Sequence, residues 1–173
     1  MNEIRTERLT LKPMCMDYLE STHEYASDPE NTTFMLWLPN DSIEETKEYI
    51  EGAEKEFLKD RPSFYEMAVF LTDVHIGAVS IYLDEDGTSA EFGWLLNKKY
   101  HGHGYATEAA KGLLSYAENE LGVKHFIAHC DTENVASQKV MEKLGMIRKE
   151  EYGGRHNKQM PEERREYLYE LTV

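Results

Sequence analysis

The stretch Tyr100-His101-Gly102-His103-Gly104-Tyr105 sets two histidines and two glycines directly ahead of an alanine-rich run. Three chemistries compete for it. A zinc site would need three or four nitrogen or sulfur ligands within about 2.0–2.3 Å of one ion. His125, His129 and Cys130 lie downstream, but no CxxC or HExxH spacing links them to the turn, so no metal site is expected. Phosphate binding would instead use backbone. Gly102 and Gly104 permit close approach and unusual dihedrals, and the first N–H groups of a following helix, with its dipole, attract an anion. His101, His103 and Lys99 would add side-chain donors. No Gly-Lys-Ser/Thr follows, which excludes a Walker-type loop. The run Gly102-His103-Gly104-Tyr105-Ala106-Thr107 also lacks the third glycine of a dinucleotide fingerprint. On spacing alone, a glycine-rich helix entry and a phosphate cradle fit equally well.

The flanking elements must hold that turn. Residues 7–13 alternate Leu9 and Leu11 with polar residues and stop at Pro13, as a strand would. Residues 16–27 carry apolar side chains at helical spacing. A helix over 42–59 is predicted from Ser42 with Glu45 three positions on, followed by the stripe Ile43, Tyr49, Ile50, Ala53 and Phe57. Runs 64–71 and 75–83 read as a hairpin and 89–96 as a third strand in series. Residues 106–122 form a strong amphipathic helix ending at Gly122. A buried strand over 125–130 and a helix over 134–145, capped by Asn134, come next. Residues 146–152 and 165–173 are the last strands, joined by a loop within 153–166. The helix over 106–122 must cross over between strands 89–96 and 125–130, so these two pair in parallel inside an otherwise antiparallel, mixed α+β sheet.

The 173 residues suit one domain, 1–173. Acidic residues outnumber Lys and Arg 33 to 19, for a net charge of −14, which argues against a nucleic-acid partner. An acidic surface favours a basic amine or basic peptide as partner, and serves solubility equally well. The charged start has no apolar stretch typical of a secretion signal, and no run is long enough to span a bilayer. Cys15 and Cys130 show no disulfide framework. A cytoplasmic protein with no membrane partner is expected.

The segment from Asn97 to Val123, followed by Thr132–Met146 with its "NVAS" and "EKLGM", resembles the GNAT superfamily of acyl-CoA-dependent N-acetyltransferases, in its RimJ/RimL-like branch. His101-Gly102-His103-Gly104-Tyr105-Ala106 matches the family's pyrophosphate loop except at its first position, where Arg or Gln is usual. "TERLTLKP" (6–13) and "SDPEN" (27–31) resemble the branch's opening segments. The resemblance implies a GNAT fold: a central, mostly antiparallel mixed sheet with one parallel pair, splayed into a V and flanked by helices. It implies acetyl-CoA as co-substrate, with pantetheine along strand 89–96 near Leu95 and Leu96. The pyrophosphate would sit on the N–H groups of residues 101–106, with Thr107 completing the cofactor-binding turn alongside Lys99. Asn134 would lie near the cofactor as well as capping its helix. A homodimer is compatible with the resemblance.

Three catalytic candidates follow from the same resemblance. Ser137 matches the branch's serine near the thioester sulfur, although an ordinary helix serine is the alternative. Many relatives carry a tyrosine acid seven residues after the Asn; here that position is Met141, which shifts the weight to Ser137 or water. His129 corresponds to a position where some relatives place a glutamate, and a histidine could accept the ammonium proton near neutral pH. Glu91 sits on a strand whose acids and histidines serve other members. Structural roles compete for both. The expected reaction is direct attack of a primary amine, either a protein N-terminus or a small cationic amine, on the thioester in a ternary complex. The competing reading is a non-catalytic acyl-CoA-binding or regulatory module. The acidic helix 42–59 reads as a solvated face or an entrance for cationic acceptors, and Trp37 and Trp94 as core or wall residues.

Overall fold

A computed structural model describes residues 3–173. The strands are β1 (Ile4–Arg5), β2 (Leu9–Pro13), β3 (Phe64–Leu71), β4 (Val74–Leu83), β5 (Ser89–Leu96), β6 (His125–Asp131), β7 (Ile147–Arg155) and β8 (Arg164–Thr172). The helices are α1 (Leu19–Ala26), α2 (Ile43–Phe57), α3 (Tyr105–Tyr116) and α4 (Val135–Lys143). The strands form a single sheet in the order β1-β2-β3-β4-β5-β6-β8-β7. Every neighbouring pair is antiparallel except β5 with β6. The mixed sheet with one parallel pair is therefore as the sequence predicts.

Alternation along the strands sorts side chains to two faces. Tyr65, Met67, Val69, Val79, Ile81, Ala90 and Phe92 pack with Ala109, Ala110 and Leu113 of α3 in the larger core. Met141 of α4 is fully buried in that core, so the position where many relatives carry a tyrosine serves packing here. On the opposite face, Ala68, Phe70 and Ala78 meet Met14 and the α2 residues Ile50 and Ala53. The start of α2 follows its sequence signature. Ser42 Oγ accepts the Glu45 N–H at 3.3 Å, and the Glu45 carboxylate accepts the Asp41 N–H at 2.9 Å.

The feature that matters for function lies between β5 and β6. Their pairing runs only from Ser89 opposite His125 to Glu91 opposite Ile127. Beyond it β5 continues to Leu96 against β4 alone, and β6 continues to Asp131 against β8 alone. The two strands thus part company and the sheet opens there. Gly77 makes the far end of β5 possible: its φ is +151°, and a Cβ there would lie 2.4 Å from the Leu95 carbonyl oxygen.

Some boundaries move. The expected helix 16–27 opens with a 3-10 turn over Met16–Tyr18 before α1. The helix expected over 106–122 begins at Tyr105 and changes to a π-helical turn over Ala117–Leu121 before the left-handed Gly122. The terminal hairpin reaches Arg155 and restarts at Arg164, so the loop is shorter than predicted. Ion pairs explain the extension. Buried Asp131 accepts from Arg164 at 3.0 and 3.1 Å and from Asn157 at 2.7 Å, and Arg155 bonds Asn157, Glu166 and the Phe34 carbonyl at 2.7–2.8 Å. In the acidic helix one residue departs from a solvated face. Glu56 is buried and accepts from Lys59 and Ser63, which hold its carboxyl down at about 2.

Candidate active site

The glycines of the opening motif shape a turn between β5 and α3. Gly102 and Gly104 both have φ of +80°, in the left-handed region, and Gly104 is the residue from which α3 starts. No acceptor among the described residues takes the backbone N–H groups of 102–107. Residues 101–104 are exposed, and a Cβ at Gly102 would meet nothing within 4 Å. A run of free donors at a helix N-terminus is a fit for the oxygens of a diphosphate.

The histidines do something else. The His101 ring donates from Nε2 to the Leu96 carbonyl at 2.9 Å, and His103 donates from Nδ1 to the His101 carbonyl at 2.8 Å while stacking on Tyr105. Both spend an N–H on pinning the turn. Lys99 turns toward Glu24 at 2.6 Å, and Lys98 toward Asp28 and Glu30 at 2.7 and 2.6 Å. The cationic support comes from a residue the motif does not contain. Arg8, at the start of β2, donates to the His103 carbonyl at 3.1 Å, lies over the Tyr105 ring, and pairs with Glu108 of α3 at 2.7 Å. Burial pushes the Glu108 carboxyl up, but bonds from Thr6 and from the Arg8 amide and guanidinium outweigh it and hold the group below its ordinary value. A hollow of about 490 Å³ extends from Gly104 past Thr107, Lys111 and Lys143. Neither lysine has an ion-pair partner among the described residues.

A second cavity, about 640 Å³, is lined from both faces of the sheet. Tyr25, Tyr49, Glu66 and Ser80 line it on the side of α1 and α2, while Asn134 and Ser137 line it at the start of α4. Phe92, Leu95, His129 and Cys130 lie between, so the cavity passes through the opening between β5 and β6. Asn134 Oδ1 accepts the Ser137 N–H at 3.2 Å as the predicted helix cap. Trp37, read as core or wall, is 83% exposed and stands at the cavity rim. Cys130 is buried, which raises its thiol to about 11 and leaves it un-ionised at neutral pH.

His129 and Glu91, proposed separately from the sequence, touch. His129 Nδ1 donates to Glu91 Oε1 at 2.8 Å. That hydrogen bond raises the His129 pKa above its ordinary value, against a smaller opposing effect of burial. With Nδ1 committed, Nε2 is the basic nitrogen of the neutral ring. The arrangement is a base oriented by a carboxylate, beside a channel that leads to a polar helix start. Of the predicted residues, His129, Glu91, Leu95, Asn134 and Ser137 share this cavity. Gly102–Thr107 form the neighbouring cradle, and Lys99 belongs to neither. Arg8, Glu66 and Gly77 were not picked out. The signals were an arginine just ahead of the Leu9–Leu11 alternation, a lone acid inside an apolar strand, and a glycine inside another.

A sheet that opens beside a single parallel pair, next to a diphosphate-fitting helix start, defines a class of acyl-CoA-dependent transferases. The sequence profile of the acetyltransferase (GNAT) domain matches residues 8–147, and the chain belongs to that family. It is 30% identical over 145 residues to an uncharacterised N-acetyltransferase, YnaD, of Bacillus subtilis strain 168, covering 84% of this chain and 82% of that protein. A GNAT-family acetyltransferase of Bacillus anthracis superposes with a TM-score of 0.79 at 27% identity, covering 98% of both chains. An acetyltransferase of Salmonella typhimurium that modifies the N-terminal serine of ribosomal protein L7/L12 shares the fold, with a TM-score of 0.84 at 17% identity and 99% of both chains covered. Among the described residues no helix is long and apolar enough to cross a membrane, and no group of three or more His, Cys, Asp or Glu could hold a metal ion.

Proposed function

We propose that the protein transfers the acetyl group of acetyl-CoA to a primary amine, by direct attack in a ternary complex. The observation that carries this is the His129–Glu91 pair, set in a cavity that opens through the sheet toward Asn134 and Ser137. Acetyl-CoA supplies an activated thioester. The free amides of residues 102–107 bind its diphosphate, with Arg8 holding the turn rigid and Lys111 of α3 and Lys143 at the end of α4 adding positive charge beside it. The pantetheine arm runs along β5 beyond its pairing with β6, past Leu95 and Leu96, where the Leu96 carbonyl is already taken by His101. His129 Nε2 takes the proton from the acceptor nitrogen, and Glu91 keeps the ring in the productive tautomer. Ser137, at the positive end of α4, faces the leaving sulfur. Cys130, un-ionised and buried, supports attack by the amine itself rather than through an acetylated thiol.

The test is thiol release from acetyl-CoA against a panel of N-terminal peptides and small amines. Turnover with at least one class, and a loss of about 100-fold or more in kcat for His129→Ala, is expected. Binding of acetyl-CoA without turnover on any amine would replace this reading with that of a non-catalytic acyl-CoA-binding module.

A further inference from the structure

The cavity contains a buried acid that the transfer reaction does not use. Glu66 of β3 is only 5% exposed, and its Oε2 has no hydrogen-bond partner. Tyr25 of α1, 4% exposed, likewise has an unpartnered hydroxyl, and both residues line the cavity. Two orphaned polar atoms at one end of a cavity represent a large uncompensated desolvation, since each costs about 1–3 kcal/mol. A ligand carrying hydrogen-bond donors relieves it.

The sheet register places this acid relative to the catalytic pair. Glu66 lies opposite Ser80 and Ser80 opposite Gly93, while Tyr82 lies opposite Glu91. Opposed residues share a face, so Glu66, Ser80, Tyr82 and Glu91 all point to the side of α1 and α2. Gly93 keeps the path between the two acids clear: a Cβ there would lie 2.7 Å from Ser80 Oγ. The nitrogen that attacks the thioester must be neutral and must sit at His129, so it cannot also be the cation that Glu66 holds.

We propose that Glu66, with Tyr25, forms a recognition subsite for a second, protonated nitrogen on the acceptor, making the preferred acceptor class an α,ω-diamine rather than a monoamine. This rests on the acceptor reading above. Glu66, Ser80 and Gly93 are aligned across β3, β4 and β5, and His129 lies at the same level on β6, so three strand spacings put the Glu66 and His129 backbones roughly 14 Å apart. Allowing about 3 Å for a hydrogen bond at each end leaves about 8 Å between the two nitrogens. That span corresponds to a chain of roughly four to six carbons. Burial holds the Glu66 carboxyl up at about 7, with Tyr49 and Ser80 partly offsetting it, so an arriving cation meets a group ready to ionise.

The experiment compares a series of α,ω-diaminoalkanes with n-alkylamines of matching length, by steady-state kinetics and by calorimetric binding. Wild type should favour the diamine by at least 10-fold in kcat/KM at the best length, and bind it correspondingly tighter. Glu66→Gln, close in shape but uncharged, should collapse that preference to within about twofold, and Tyr25→Phe should reduce it. A wild-type preference near one, or one that survives Glu66→Gln unchanged, overturns the subsite. If no amine is acetylated, the transferase reading fails on its own. Calorimetry still decides the subsite, through diamine binding that is tighter than monoamine binding and is lost in Glu66→Gln. An acid that merely held an internal water would lower Tm in the variant and leave the diamine-to-monoamine ratio where it was.

Discussion

A histidine whose Nδ1 proton is held by a carboxylate keeps its charge to higher pH than a free one, and becomes a stronger base when it loses that charge. Glu91 does this for His129 across 2.8 Å. The acid limb of kcat/KM should therefore fall above the ordinary histidine value of about 6.5. Glu91→Gln can still accept a hydrogen bond but carries no charge, so the limb should move to lower pH in that variant and vanish in His129→Gln. A limb that stays put in Glu91→Gln would remove Glu91 as a positioning residue. Stability follows the opposite course. Because folding raises the His129 pKa, the pair stabilises fully at pH below the unfolded value, and that contribution is lost as pH rises through the folded one. Glu91 is 44% exposed, so solvent screening keeps the contribution under about 1 kcal/mol. The Tm gap between wild type and Glu91→Gln should accordingly be wider at pH 6 than at pH 9.

The glycine turn works because two elements distant in sequence clamp it. Thr6 donates to Glu108 at 2.6 Å, and the Arg8 amide and guanidinium each reach it at 2.7 Å. These contacts fix the first turn of α3 against the start of β2, so the free amides keep one direction. Glu108→Ala should raise the KM for acetyl-CoA by about 10-fold, leave kcat within twofold, and lower stability by about 1–3 kcal/mol. A variant that loses stability with an unchanged KM would show that the brace does not orient the cradle. The same contrast explains what could be read from the chain beforehand. β3, β4 and β5, the caps Ser42 and Asn134, and the crossover through α3 are local patterns, set by alternation, helical spacing and turn residues within about ten positions. The glycine turn was legible because its geometry depends on its own residues. Arg8 is about a hundred residues from Glu108, and Glu66 acquires its meaning from α1 and α2 packed over it. Neither relation has a local signature. His129 and Glu91 were separately legible as candidates, while their contact depends on where the parallel pairing stops, which nothing in either strand's own sequence specifies.

With a net charge of −14, the whole molecule presents an electrostatic problem to its two proposed ligands, because one is a polyanion and the other a cation. The general field attracts the acceptor and repels acetyl-CoA, so local features must overcome repulsion for the latter: the helix N-terminus, Arg8, Lys111 and Lys143. Salt separates the two ranges. The Debye length shrinks from about 30 Å at 0.01 M to about 8 Å at 0.15 M, which removes the long-range field while leaving contacts of a few ångströms. Raising ionic strength across that interval should lower kcat/KM for a cationic acceptor several-fold, mainly through KM. The apparent affinity for acetyl-CoA should hold steady or improve, because what is screened is chiefly repulsion. Steady-state titrations of each substrate at fixed saturating levels of the other, repeated at four or five salt concentrations, measure both slopes. Slopes of the same sign for the two substrates would mean that the acidic surface plays no part in choosing the acceptor, and that its charge acts on solubility alone.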